Sequence, residues 1–183
     1  LMRVAAIKTV KLSLIGLFLL LMITTLVSYT LSKPRILVLH SYATDYPWVR
    51  DVNVGLKRVL DKHAYSVRWH YMDTKRHPYP DFIRRAAVMA RVLIDQWEPQ
   101  VVIAIDDNAQ QWVAREYAGR DNIVVVFAGV GAEPEDYQYT NSANVTGILE
   151  RMPLAAIRDT LLRIHHERAG QQTGAKVQQA PRL

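Results

Sequence analysis

The sequence contains no cysteine, which excludes a disulfide framework, a thiolate metal site and a lipid-anchored cysteine at the N-terminus. It also lacks the short motifs of several common α/β enzymes. There is no GxGxxG after the first predicted strand, no GxxxxGK followed by serine or threonine, and no GxSxG. No spacing of histidines brings three metal ligands together. We therefore expect a protein that is not an enzyme and that needs no cofactor and no metal.

Acidic residues are absent from the first 35 positions, although five basic residues lie there. This leaves 18 of the 23 lysines and arginines, and all 17 acidic residues, for the rest of the chain. The net charge of +6 is therefore concentrated near the N-terminus, and the remaining chain is almost neutral. Because nucleic-acid binding needs a basic folded face, we expect no nucleic-acid partner.

Residues 12–31 form a run without charge, long enough to span a hydrocarbon core as a helix. The basic residues within positions 1–11 predict a cytoplasmic N-terminus. We expect a single-pass protein of the inner membrane whose folded domain lies on the periplasmic, extracytoplasmic side. A cleaved signal peptide is the alternative, and the domain would then be secreted to the periplasm.

The part of the chain at 34–166 alternates between strands and helices. Apolar runs at 36–39, 101–105 and 123–128 predict strands buried on both faces. Alternating polarity over 67–72 predicts an edge strand, and residues 144–148 are predicted to form a weaker fifth strand. Apolar residues at helical spacing predict helices over 51–63, from Pro80 to the residue before Pro99, after Asn108, and over 153–166. This order predicts an α/β fold, a doubly wound parallel sheet flanked by helices. Residues 167–183 are polar without an apolar period, so we expect disorder there.

Polar residues follow four of these strands, at the edge where ligands bind in doubly wound sheets. The candidate ligand-binding residues are His40, Ser41, Tyr42, Trp48, Asp73, Thr74, Lys75, Asp106, Asp107, Asn108 and Gly129. Aromatic rings would stack on the apolar body of a ligand, polar groups would orient it, and Lys75 would meet an anionic group. Structural roles are the alternatives. One residue of 106–108 would cap a helix, Asp73 and Thr74 would form a turn, residues 46–48 would pack over the first helix, and His40 would be a hydrogen-bonded structural histidine.

Five motifs now occur in order: LHSYATDYPW at 39–48, YMDTKR at 71–76, VVIAIDDNA at 101–109, VVFAGV at 125–130 and NVTGILE at 144–150. Together they resemble the substrate-binding proteins of ABC transporters with the type I periplasmic-binding-protein fold. The similarity is to the branch that also serves as extracytoplasmic sensor domains of membrane histidine kinases and diguanylate cyclases. The resemblance implies the first lobe of a two-lobed protein that closes on a small organic ligand.

We therefore expect a solute-binding module, truncated to one lobe, that captures a small-molecule ligand. Its partners would be an ABC permease or a signalling kinase or cyclase. Residues 12–31 would anchor it in the inner membrane. The alternative is a non-catalytic sensor or interaction module that does not bind a ligand alone.

Overall fold

The computed structural model describes residues 2–165, with side chains from residue 11 onward. The chain divides into two compact units after Leu149. In the second unit, a helix covers residues 154–165, as the sequence predicted for this region. The predicted disorder of residues 167–183 lies outside the described residues.

The first unit begins with a long apolar helix, α1, which covers Met2–Leu31. Its segment Lys11–Leu31 is long and apolar enough to cross a membrane, and its side chains are exposed rather than packed into the domain. The predicted apolar helix is therefore confirmed. Three residues separate α1 from the first strand of the sheet.

Five parallel strands form one sheet. They are β1 at Arg35–His40, β2 at Ser66–Tyr71, β3 at Val101–Ile105, β4 at Val124–Val130 and β5 at Val145–Leu149. The strand order is β2-β1-β3-β4-β5, so β2 lies at an edge as predicted. All four pairings are parallel, and the β4–β5 pairing is irregular between Phe127 and Val130. This confirms the α/β fold with a parallel sheet.

Helices cover both faces of the sheet. They are α2 at Pro47–Leu60, α3 at Pro80–Trp97 and α4 at Asp107–Trp112, and short 3₁₀ helices lie at Ala114–Tyr117 and Pro134–Tyr137. Successive side chains of a strand point to opposite faces. Accordingly, Ile36 and Val38 of β1 pack with α2, whereas Leu37 and Leu39 pack in the larger core with α3 and α4. The helices thus bury β1 on both sides, which explains its continuous apolar sequence.

The largest differences from the predicted boundaries occur in α2 and at the end of β4. Helix α2 begins at Pro47 rather than residue 51, because proline suits the first helical position, where no hydrogen-bonded amide is needed. The longer helix buries Val49 completely, whereas Val59, expected on the inner face, is 60% exposed. Strand β4 continues through Gly129 to Val130, beyond the end that we predicted at residue 128.

Candidate functional site

The carboxyl ends of the strands meet at one edge of the sheet, and the strand order reverses between β1 and β3. Hydrogen bonds continue the pairing past the strand ends: the Ser41 amide donates to the Ile105 carbonyl at 3.2 Å, and the Met72 amide donates to the His40 carbonyl at 2.9 Å. This is the edge at which doubly wound sheets bind ligands. The sequence-predicted candidates all lie at these strand ends or in the segments that follow them.

Ser41 and Thr74 are buried and join the strand ends to one another. The Ser41 hydroxyl donates to the Ile105 carbonyl at 3.0 Å and accepts from the Ala109 amide at 2.8 Å. The Thr74 hydroxyl donates to the Ser41 carbonyl at 2.8 Å and accepts from the Asn108 side-chain amide at 3.0 Å. Both hydroxyls therefore already donate and accept within the fold.

His40 lies inside the domain, toward α2, with its side chain fully buried. Its Nε2 is 2.8 Å from Oδ1 of Asn53, and its ring stacks on Tyr71 with a centroid separation of 5.1 Å. The Asn53 side-chain amide donates to the Tyr71 hydroxyl at 3.1 Å, so its oxygen is the atom that accepts from His40. Burial lowers the pKa of His40 to about 4, and the imidazole is neutral at pH 7.

The three polar residues after β3 point in different directions. Asp106 caps α4 by accepting from the Asn108 amide at 3.4 Å, as predicted for one residue of this trio. Its backbone has φ +74°, a left-handed conformation, and burial raises the pKa of its carboxyl group. Asp107 instead turns toward the segment after β4, where Oδ1 accepts from the amides of Gly131 and Ala132 and from the hydroxyl of Tyr137.

A cavity of about 320 Å³ opens beside the ends of β1 and β2. This volume is at the lower end of the range for small-molecule sites. Five of its eight lining residues come from the end of β1 to the start of α2, and three come from the segment after β2. They are Tyr42, Ala43, Asp45, Tyr46, Pro47, Asp73, Lys75 and Arg76. The cavity therefore combines aromatic rings with charged groups of both signs.

Lys75 lies against the aromatic rings of this cavity. Its ammonium nitrogen is 4.8 Å from the ring centroid of Tyr42 and 4.3 Å from that of Tyr46. It also donates to the Tyr46 hydroxyl at 2.6 Å. The two tyrosine rings meet edge to face, with centroids 5.4 Å apart. The contact with the Tyr42 ring is of the cation–π type, and the contact with Tyr46 is the hydrogen bond to its hydroxyl.

The Tyr42 hydroxyl connects the cavity to the buried carboxylate of Asp106 through a hydrogen bond. Burial, and secondly this carboxylate, raise the pKa of Tyr42 above its ordinary value. Tyr42 therefore remains protonated and donates its proton toward Asp106.

Asp73, Arg76 and Asp45 form a charged group at the mouth of the cavity. The Arg76 guanidinium pairs with the carboxylate of Asp45 and lies 3.7 Å from Oδ2 of Asp73. Asp73 adopts φ +54°, and its Oδ1 atom is buried without a hydrogen-bond partner among the described residues. A buried carboxylate oxygen without a donor is costly unless a ligand or water supplies one.

Trp48 supports the rings of the cavity from behind. Its ring is 6.1 Å from that of Tyr42, and it covers Gly129, which has φ +63°. A Cβ atom placed on Gly129 would lie 2.7 Å from two atoms of the indole. Glycine at this position therefore permits both the backbone conformation and the close approach of the ring.

The structure thus brings only Tyr42, Asp73 and Lys75 of the predicted candidates to the cavity wall. Sequence analysis missed Asp45 and Arg76 and treated Tyr46 and Pro47 as packing residues. Their proximity to Tyr42 and Lys75 in the motifs at 39–48 and 71–76 was the available signal. Among residues 2–165, no group of three histidine or acidic side chains is arranged to hold a metal ion.

Comparisons with protein-family models, with curated proteins and with solved structures found no match to this chain.

Proposed function

We propose that this chain is an extracytoplasmic solute-binding module that captures a small organic ligand without converting it chemically. The cavity at the carboxyl ends of β1 and β2 carries the proposal, because aromatic faces and charged groups converge there. It lies at the sheet edge, close to the reversal of strand order between β1 and β3. The resemblance of the five motifs to ABC-transporter substrate-binding proteins supports the same function.

Helix α1 supports a membrane-anchored form of this module. Its apolar segment Lys11–Leu31 follows basic residues, and a cytoplasmic N-terminus would place the sheet on the periplasmic side. Captured ligand would then pass to an ABC permease or change the state of a membrane signalling kinase or cyclase. Cleavage of α1 as a signal peptide would give the same module free in the periplasm.

A sensor or interaction module that binds no ligand alone is the second candidate. It is favoured by internal hydrogen bonding among the candidates, since the side chains of Ser41, Thr74 and Asp107 already have partners within the domain. On this alternative, the cavity edge would be a surface for a protein partner rather than a small-molecule site.

Thermal stability of the full-length chain in detergent, measured against amino acids, sugars, nucleosides and organic acids, distinguishes the two. A ligand at 100 times its dissociation constant adds about 2.7 kcal/mol of stability. We expect a stabilising shift from one chemical class, and we expect Tyr42→Ala to abolish it. Tyr79→Ala, which removes a tyrosine that is 66% exposed and outside the cavity, is the matched control. The absence of any shift would favour the second candidate.

A further inference from the structure

The position of the Lys75 ammonium group indicates which ligand charge the cavity accepts. It lies 4.8 Å from the ring centroid of Tyr42, and it donates to the hydroxyl of Tyr46 at 2.6 Å. The residue is exposed, so its long side chain can leave this position for solvent without unfolding any element. The protein therefore already places a cation where a ligand would contact the rings.

From the sequence, we expected Lys75 to meet an anionic group of the ligand. The other charges around the cavity favour a cationic ligand instead. Arg76, the second cation of the lining, is engaged by the carboxylates of Asp45 and Asp73. The Tyr42 hydroxyl donates its proton toward Asp106. The face of the Tyr42 ring and the carboxylate of Asp106 therefore both attract positive charge. Without Lys75, the charged lining consists of Arg76 and the carboxylates of Asp45 and Asp73, and Asp106 lies behind Tyr42. This balance of charge favours a cationic ligand over an anionic one.

We propose that the cavity selects a ligand with an organic ammonium group, which replaces the Lys75 ammonium between the ring of Tyr42 and the hydroxyl end of Tyr46. Lys75 is then an internal competitor. Its ammonium group takes the position of the ligand's ammonium group until the ligand binds, and it then moves into solvent. This inference rests on the proposed solute-binding function and names the chemical class of its ligand. Aromatic recognition of ammonium groups is the physical basis.

Three probes of one shape test the charge preference: choline, its neutral isostere 3,3-dimethylbutan-1-ol, and the anion 3,3-dimethylbutanoate. Their binding to the full-length chain in detergent is measured by isothermal titration calorimetry. We expect choline to bind at least tenfold more tightly than either other probe. Tighter binding of the anion, equal binding of choline and the alcohol, or no binding of choline would overturn the inference.

Two lysine variants separate competition from general electrostatics. Lys75→Met removes the competing ammonium, and we expect it to bind choline at least threefold more tightly than the unmodified chain. Lys57→Met is the matched control, since the Lys57 ammonium lies 5.8 Å from the ring of Trp69, outside the cavity, and its loss should leave choline affinity unchanged. Weaker choline binding by Lys75→Met, or equal tightening in both variants, would refute the role of Lys75.

The failure of this inference can be told apart from failure of the proposed function. If the ligand library stabilises the chain through a neutral or anionic compound and Tyr42→Ala abolishes that effect, solute binding stands and the ammonium preference is wrong. If neither the library nor choline binds, both proposals are wrong.

Discussion

Replacing Gly129 with alanine tests the packing that positions Trp48 behind the cavity. The new Cβ would lie 2.7 Å from Cη2 and Cζ2 of the indole, closer than such atoms approach in proteins, and the backbone has φ +63°. A left-handed conformation costs a residue with a Cβ about 1–2 kcal/mol. Displacing a packed ring adds about 1–3 kcal/mol. We therefore expect a total loss of about 2–5 kcal/mol in the free energy of unfolding, a large fraction of the stability of an ordinary domain.

Urea unfolding of the full-length chain in detergent, followed by tryptophan fluorescence, measures this loss. All four tryptophans lie outside α1, so the signal reports on the sheet and its helices rather than on the apolar helix. Gly119→Ala is the matched control: Gly119 has φ +79°, and nothing lies within 4 Å of its added Cβ. It should lose only the backbone contribution, about 1–2 kcal/mol.

The difference between the two variants isolates the contact with the indole. Equal losses for Gly129→Ala and Gly119→Ala would refute the close packing of Trp48 on Gly129. Combining Gly129→Ala with Trp48→Ala provides a second check, because the added methyl group then meets no ring. The extra cost of the alanine at position 129 should disappear in that background.

Substitutions at three further positions test polar side chains that are hydrogen-bonded within the fold, with urea unfolding as the common measurement. Burial lowers the pKa of His40 from its ordinary value of 6.5 to about 4, so the unfolded chain gains a proton below about pH 6.5 that the folded chain takes up only near pH 4. As the pH falls from 6.5 to 4, the free energy of unfolding should decrease by roughly 3 kcal/mol more in the unmodified chain than in His40→Gln. An equal pH dependence of stability in the two chains would contradict a buried neutral imidazole. Ser41→Ala should cost about 1–3 kcal/mol, because the buried Ala109 amide loses its acceptor, while ligand stabilisation persists; unchanged stability would argue against that bond. Asp107→Ala should cost a similar amount and increase hydrogen exchange at the Gly131 amide, whereas Asp107→Asn, which keeps an oxygen acceptor, should cost less. Equal effects of the two changes at Asp107 would exclude that role for its oxygen.

The strands were predictable because the sheet imposes a simple pattern on the sequence. Strands buried on both faces need unbroken apolar runs, and β1 and β3 have them. Helix α3 was equally clear, since proline marks its first residue and a left-handed Glu98 ends it just before Pro99. The start of α2 was missed because Pro47 is compatible both with a turn and with a first helical position.

The site was less predictable, because side-chain directions at strand ends depend on backbone angles that the sequence does not specify. Asp106 and Asp107 are adjacent and chemically identical. The left-handed φ of Asp106 nevertheless leaves its carboxylate near Tyr42, while Asp107 turns to the amides after β4. The interaction of Lys75 with two rings could not be inferred either, because it joins segments about 30 residues apart. The rule that ligands bind at the carboxyl ends of the strands identified the correct edge of the sheet, but it did not identify which residues line the cavity there.

The three-residue connection between α1 and β1 would limit how far the domain can lie from the membrane surface if α1 is an anchor. It spans at most roughly 11 Å when extended, so the amino-terminal edge of the sheet would stay close to the lipid headgroups. The six residues of β1 then rise by roughly 20 Å before the chain reaches the cavity. If the domain binds solute as proposed and β1 points away from the bilayer, solute would enter from the aqueous side. A membrane partner would therefore have to extend well above the lipid surface, or the domain would have to tilt on its short tether, before captured solute could be handed over.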